Sequence, residues 1–133
     1  MPGEKNLSVL LKSMQPILHQ GEFVFCIIND AGEIPHSEII GLFKETEGCT
    51  VVLRKELADK YNLSYTYIAA WITLNVHSSL AAVGLTAAFS TALSAEGISC
   101  NVIAAYYHDH IFVAKEDAAK AMAVLSRFAA GTI

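Results

Sequence analysis

The sequence predicts an α+β protein made of two small halves, each with an antiparallel sheet and with its helices on one face. Three observations lead to this prediction. Hydrophobic residues make up 53% of the 133 residues and charged residues 17%, which suits a packed core rather than a disordered chain. Residues 67–76 alternate as a long strand does. The following segments then read as helix, strand, strand and helix.

The first half begins with a predicted helix and a buried strand. Apolar residues recur at helical spacing from Leu7 to Met14, and Asn6 precedes them as a candidate N-cap. Pro16 is expected to end or kink that helix. The run of β-forming residues 23–28 is continuous and apolar, which predicts a strand covered on both faces.

The remainder of the first half predicts two strands and a short helix. Residues 29–37 are rich in turn formers and are expected to be irregular. Strands are predicted at residues 38–44 and 50–54, and a helix at 56–61. The boundary between the halves is predicted at residues 62–64, so the predicted domains are residues 1–63 and 64–133.

The second half has clearer boundaries. After the strand at 67–76 and a polar loop, an apolar face indicates a helix that begins after Gly84 and stops at Gly97. A strand is expected over residues 98–107. Asp109 is predicted as a turn residue before a strand at 110–114, and Asp117 as the cap of a last helix.

This order of elements predicts a split βαβ sheet. The tight turn near residue 109 requires antiparallel pairing, and the helical connection allows a right-handed crossover. The result is the ferredoxin-like plan with both helices on one face. That plan needs a fourth strand, which this half lacks, so we expect the first half to share its strands.

Charge and composition exclude several classes of partner. The net charge of −4 and the absence of any basic cluster argue against a nucleic-acid partner. The apolar segments are too short to span a membrane, and the N-terminus lacks a signal-peptide pattern. The three cysteines are expected to be buried free thiols. We therefore expect a cytoplasmic protein without membrane contact.

Two Gly-containing pairs carry a resemblance to a known family. Gly84-Leu85 opens the predicted helix after a strand and a polar loop, and Gly97-Ile98 ends it before the next strand. In this respect residues 67–128 resemble the ACT domain family. The hairpin at residues 106–110 further resembles small bacterial stand-alone two-ACT proteins, which are similar to the ACT modules of CASTOR-type arginine sensors.

The resemblance implies a regulatory, non-catalytic protein without a cofactor. ACT domains bind amino acids or related metabolites at sheet edges and domain interfaces, and they usually pair side by side. The resemblance thus implies a small-molecule ligand, most often an amino acid, and a homodimer or higher homo-oligomer. The bound state would be read out through an unidentified protein partner or through a conformational change.

The residues themselves suit such a ligand. A helix N-terminus offers unpaired N–H groups and a positive dipole end to a carboxylate, and a glycine there lets a ligand approach the backbone. Neighbouring hydroxyl, imidazole and amide groups add hydrogen bonds, and a carboxylate in the matching loop can receive an ammonium group. The candidate ligand-binding residues are His77, Ser78, Ser79, Val83, Gly84, Leu85, Thr86, Asn101 and Asp30.

Three other interpretations compete with this one. The same serines and threonines are ordinary turn and cap residues, so a purely structural oligomerisation or protein-interaction module is the main alternative. A metal site is disfavoured because His108 and His110 are expected to flank a turn and no ligand-pair spacing is present. Catalysis is disfavoured because no nucleophile elbow, carboxylate pair or phosphate loop occurs.

Overall fold

The computed structural model describes residues 6–76 and 83–131. Four α-helices and seven strands occur in this part of the chain. The helices are α1 (Leu7–Ser13), α2 (Lys55–Lys60), α3 (Leu85–Ala95) and α4 (Ala118–Ala130). The strands are β1 (Gln15–Leu18), β2 (Phe23–Ile28), β3 (Gly41–Glu45), β4 (Gly48–Arg54), β5 (Ile68–Asn75), β6 (Asn101–Ala104) and β7 (Asp109–Ala114).

The chain divides into two compact units that do not follow chain order. The central unit is residues 21–69, and the terminal unit combines residues 1–20 with residues 70–133. Residues 6–20 therefore pack with the second half of the sequence. The domain boundary predicted at residues 62–64 stays a prediction.

The terminal unit contains the split βαβ arrangement that the sequence predicts. Its strands are ordered β1-β5-β7-β6. β6 and β7 are antiparallel, and β1 pairs antiparallel with β5, with Gln15 opposite Asn75. Residues 15–18 thus supply the fourth strand that the second half lacks; the sequence predicted that the first half would provide such a strand but did not predict these residues.

The helices α1, α3 and α4 of the terminal unit lie on one face of its strands, because the apolar residues of β5 and β7 alternate. Ile72 and Leu74 of β5 and Ile111 and Val113 of β7 belong to one buried cluster, together with residues of the three helices such as Phe89. The intervening residues of both strands point to the opposite face.

The central unit is built from an antiparallel sheet ordered β3-β4-β2, to which β5 adds its first residues. β2 pairs with β4 along its whole length but with β5 only at Phe23 and Val24. Alternate residues of β2 and β4, including Val24 and Leu53, form a core with Ala58 of α2.

Several element predictions are confirmed. The Asn6 side chain caps α1 by accepting the Val9 N–H at 3.2 Å. Gly97 takes the left-handed conformation that stops α3, with φ of +74°. The helix at the start ends at Ser13, ahead of Pro16.

Other element predictions are wrong, for local reasons. The strand predicted from residue 38 starts at Gly41, because residues 36–38 form a 3₁₀ turn. Asp109 is the first residue of β7, and the turn lies before it, closed by the Ala105 N–H that donates to the His108 carbonyl at 3.0 Å. Asp117 occupies the N-cap position of α4 as predicted, but its side chain makes no cap hydrogen bond, because a 3₁₀ turn leads directly into the helix.

The strand at 23–28 is not covered on both faces along its length. Ile27 leaves 56% of its surface exposed, whereas Phe23 and Val24 are fully buried. The face opposite the core of the central unit is therefore partly open at the end of β2.

Candidate ligand-binding site

The turn into α3 is held by a glycine for two structural reasons. Gly84 is the N-cap of α3 and has φ of +94°, a conformation that side chains with a Cβ rarely adopt. A Cβ placed on Gly84 would lie 3.1 Å from Leu7 Cδ2 of α1. A side chain at this position would thus meet Leu7, which is a packing reason for the glycine; the access of a ligand to its main chain stays a prediction.

The first turn of α3 offers main-chain donors. The Ala88 N–H donates to the Gly84 carbonyl at 2.9 Å, so the N–H groups of residues 85–87 precede the intrahelical ladder. Gly84 provides no side-chain cap for them. Val83, with 83% of its surface exposed, and Thr86, also exposed, flank this end of the helix. The arrangement can accept a carboxylate or another small anion.

The other predicted site residues of the terminal unit differ in which of their groups a ligand could contact. Leu85 is buried in the core and can contribute only its main chain. Asn101 is exposed on β6, where its Nδ2 donates to the Phe112 carbonyl at 3.3 Å and its amide oxygen remains as an acceptor. His77, Ser78 and Ser79 lie outside the described residues.

Asp30 has a local structural task in the central unit. Its carboxylate accepts the Gly32 N–H at 3.0 Å, and Glu33 reciprocally accepts the Asp30 N–H at 3.0 Å. These two bonds form a capping box for a short 3₁₀ turn. Its assignment to a ligand stays a prediction.

The helix-free face of the terminal unit carries a polar network that the sequence did not predict. His19 Nε2 lies 2.7 Å from Thr73 Oγ1, and Thr73 Oγ1 lies 3.0 Å from His110 Nδ1. Trp71 Nε1 donates to the same His110 nitrogen at 3.1 Å, and His19 stacks on Trp71 with 3.6 Å between ring centroids. The alternation of Trp71 and Thr73 with core residues indicates that both face away from the core. Their partners could not be predicted because they are distant in sequence.

The hydrogen bond from Trp71 determines which ring nitrogen of His110 carries the proton. An indole N–H only donates, so His110 Nδ1 must be an unprotonated acceptor, and the neutral ring carries its proton on Nε2. The Thr73 hydroxyl lies within hydrogen-bonding distance of this nitrogen and of His19 Nε2, so the side chains form one connected network.

The surroundings of His110 agree with a neutral ring. Burial lowers the pKa of His110, and the neighbouring His108 and His19 lower it further. Burial raises the pKa of Asp109, an effect that His108 partly offsets. His108 Nδ1 is buried and has no hydrogen-bond partner in the part of the chain that the structure describes.

The cysteines differ from activated nucleophiles. Burial raises the pKa of Cys100 to about 11, although a hydrogen bond with Ser90 partly opposes this. Burial, followed by the charge of Asp59, raises the pKa of Cys26. A reactive cysteine needs a lowered pKa, so these two thiols have the character of structural residues.

The described residues contain neither a metal-ligand cluster nor a membrane-spanning helix. Among residues 6–76 and 83–131, no three His, Cys, Asp or Glu side chains are placed to hold a metal ion together. No helix in the same ranges has the length and apolar character needed to cross a membrane.

The split βαβ sheet with its helices on one face is the fold of a class of small regulatory domains. The chain matches the ACT domain family at residues 2–70 and again at residues 67–127. The chain therefore belongs to the ACT domain family and carries two ACT domains. ACT domains are regulatory modules that bind small-molecule ligands and often oligomerise.

Solved structures agree with this assignment. A Vibrio cholerae protein of unknown function, described as a possible transport protein, is 51% identical over 94% of this chain and 97% of its own, with a TM-score of 0.84. No curated protein matches the sequence.

Two more distant structures share the fold alone. An Agrobacterium tumefaciens protein is 15% identical over 87% of this chain and 89% of its own, with a TM-score of 0.64. The ligand-free regulatory subunit of aspartate kinase from Thermus thermophilus is 9% identical over 88% of this chain and 97% of its own, with a TM-score of 0.62.

Proposed function

We propose that this protein is a non-catalytic sensor that binds an amino acid at the turn into α3. The observation that carries the proposal is the first turn of α3, whose main-chain donors follow the left-handed Gly84 and lie between the exposed Val83 and Thr86. A carboxylate bound there would gain both hydrogen bonds and the favourable helix dipole. Membership of a family of ligand-binding regulators supports this use of the site.

Each candidate residue has a distinct role in the proposal. The main chain of Gly84 and Leu85 and the hydroxyl of Thr86 would bind the carboxylate. The polar loop with His77, Ser78 and Ser79 would bind the ligand side chain, and the amide of Asn101 would add an acceptor. Asp30 would receive the ammonium group only if its capping bonds are given up, so it is the weakest member of the set.

The main rival is a structural interaction module with no metabolite ligand. Its support is the exposure of large apolar side chains on strands, including Phe43 on the edge strand β3. The two functions differ in one property. A sensor gains thermal stability from its ligand because binding favours the native state, whereas an interaction module responds only to protein concentration.

The test is a thermal-shift screen with the common amino acids, followed by isothermal titration of those that raise the melting temperature. We expect one or a few amino acids to stabilise the protein. If none produces a shift or a heat of binding, the amino-acid proposal is wrong. The oligomeric state, predicted to be a dimer or higher homo-oligomer, is measured in the same buffers by light scattering.

A matched pair of variants locates the site. Thr86 and Thr91 are both exposed threonines on α3, one in the first turn and one a turn and a half further along. Thr86→Ala is expected to weaken binding by roughly threefold to tenfold, the effect of one lost hydrogen bond. Thr91→Ala should leave the affinity unchanged. Equal effects of the two substitutions would place the ligand elsewhere.

A further inference from the structure

β2 of the central unit continues beyond the end of its pairing with β5. β5 pairs with Phe23 and Val24, whereas β4 pairs with β2 as far as Ile28. Extending the β5 register would place Tyr65 opposite Ile27. Residues 64–66, however, are not part of a strand. Among the described residues, no strand therefore covers this edge of β2 at Ile27.

The direction of the main chain at Ile27 follows from one hydrogen bond. The Lys55 N–H donates to the Glu22 carbonyl at 2.9 Å, which makes these two residues a hydrogen-bonded pair of the antiparallel β2–β4 ladder. Such pairs alternate along the ladder, so Cys26 and Ile28 also face β4. The N–H and carbonyl of Ile27 consequently point away from β4 and towards residues 64–66.

A cleft lies at this point of the central unit. It has a volume of about 310 Å³ and is lined by the edge of β2 and by the segment before β5. Phe25, Ile27 and Tyr65 supply apolar surface, and Thr50, Ser64 and Thr66 supply hydroxyl groups. Among the described residues, no charged side chain lines it. The volume is at the lower end of ligand-binding clefts and suits two or three residues of an extended chain.

We propose that this cleft binds an extended, uncharged internal segment of a partner protein by strand addition to β2. The Ile27 N–H and carbonyl form one donor and one acceptor on the same edge, which is the complement of one residue of an antiparallel strand. The hydroxyl groups around the cleft satisfy further main-chain groups of the segment. This site gives the proposed sensor a surface through which a partner is contacted, and it is independent of the turn into α3.

Electrostatics favour an internal segment over a free amino acid or a short free peptide. A zwitterion would bring two charges to a cleft whose described lining is uncharged, and uncompensated charges are costly to desolvate. Two carboxylates contact residues of the lining, and both are engaged in hydrogen bonds. Glu45 accepts the Thr50 hydroxyl, and Asp59 accepts the Tyr65 hydroxyl at 2.7 Å and pairs with Lys55 at 3.1 Å.

The premise is tested first by amide hydrogen exchange on the free protein. Cys26 and Ile28 should exchange slowly because their N–H groups bond to β4, and Ile27 should exchange at least tenfold faster. Protection of Ile27 equal to that of its two neighbours would show that this edge is already paired, and the proposal would fail.

Binding is then followed by the amide resonances of the isotope-labelled protein during titration with acetyl-capped tripeptide amides. The central residue of the probes is Ala, Val, Leu or Thr. We expect saturable shifts centred on Ile27 and on residues 64–66, and affinities at least tenfold lower for the same peptides with free termini. Equal binding of the free peptides or of valine would overturn the assignment to a protein segment.

Two variants with matched controls complete the test. Ile27→Pro removes the donor and should abolish the shifts, whereas Ile27→Val keeps the donor and should not. Ser64→Trp fills the cleft from an exposed position and should weaken binding at least tenfold, while Ser37→Trp, exposed elsewhere in the same unit, should not. Absence of shifts with every probe, or shifts at Ile27 caused by protein concentration alone, would also refute the proposal.

Discussion

Thr73 places a single hydroxyl between two histidines on the helix-free face of the terminal unit. Only 7% of its surface is exposed, and its hydroxyl lies within hydrogen-bonding distance of a ring nitrogen of each histidine. Removing the hydroxyl would remove the group that joins His19 to His110. One such hydrogen bond contributes about 0.5–1.5 kcal/mol, so the network stabilises the alignment of β5 with β7 and with the residue that follows β1.

The neutral state of His110 predicts a pH dependence of stability. The folded protein lowers the pKa of His110, so the unfolded chain takes up this proton first as the pH falls. The stabilising effect of the neutral ring is complete above the unfolded pKa of about 6.5 and is lost progressively below it. Protonation would also place an N–H on Nδ1, facing the indole N–H of Trp71.

This prediction is checked by the free energy of unfolding, from urea titrations at pH 7.5 and pH 5.5. The wild type should lose stability towards pH 5.5, and His110→Gln should lose less because its side chain does not titrate. His36→Gln, at an exposed position of the central unit, is the control and should keep the wild-type loss. If His110→Gln lost as much free energy of unfolding between pH 7.5 and pH 5.5 as the wild type, other groups would be the cause of the pH dependence.

At the scale of elements, the packing of α1 on the start of α3 depends on Gly84. Gly84→Ala forces an alanine into a left-handed conformation and drives its Cβ against Leu7. We expect a loss of about 1–3 kcal/mol in the free energy of unfolding. Gly97→Ala is the matched control, since Gly97 has φ of +74° with open space around it, and it should cost about 1 kcal/mol.

The contribution of the Leu7 contact is separated by a double-mutant cycle. Leu7→Ala removes the atom that the new Cβ would meet, so Gly84→Ala should cost less in that background than in the wild type. The loss in the free energy of unfolding that remains in this background comes from the left-handed backbone conformation alone. Equal costs in both backgrounds, measured by urea denaturation, would contradict a steric contact between α1 and the turn.

The elements that the sequence predicted well are those with a strong local pattern. β5 and α3 follow from period-two and helical spacing, and the ends of α3 follow from Gly84 and Gly97. β1 was missed because four residues containing Pro16 have little strand character, and their pairing with Leu74 and its neighbours is a distant contact. The turn before β7 was placed late because Asp109 is a common turn residue.

The candidate site shows the same division. The glycine at the start of α3 was predictable because its role is local, whereas the His19–Thr73–His110 network joins β5, β7 and the residue after β1, which are remote in sequence. The sequence did not predict that Gly84 also leaves room for Leu7, because this contact depends on where the N-terminal helix packs. Tertiary contacts of this kind leave no periodic signal.

At the scale of the whole molecule, the terminal unit is a complete βαββαβ domain whose last strand comes first in the chain. Residues 68–133 provide β5, α3, β6, β7 and α4, and residues 1–20 provide β1 together with α1. Leu10 and Met14 from the N-terminal segment are almost fully buried in the core of the terminal unit. Residues 68–133 alone would therefore expose an apolar surface and the unpaired edge of β5.

This arrangement predicts the behaviour of a rearranged chain, which runs from residue 68 to residue 133 and then, through a flexible Gly-Ser linker, into residues 1–20. Its elements follow one another in domain order. We expect it to unfold cooperatively in urea, because the β1–β5 pairing and the burial of Leu10 and Met14 are restored. Residues 68–133 without the added segment should show no cooperative transition.

The control for the rearranged chain changes only the residues that dock the N-terminal segment. With Leu10→Asp and Met14→Asp, it should behave like residues 68–133 alone, because burying two unpaired charges opposes docking of the segment. Cooperative unfolding of residues 68–133 alone, at a stability equal to that of the rearranged chain, would mean that the N-terminal segment is an addition to the domain and not its missing strand.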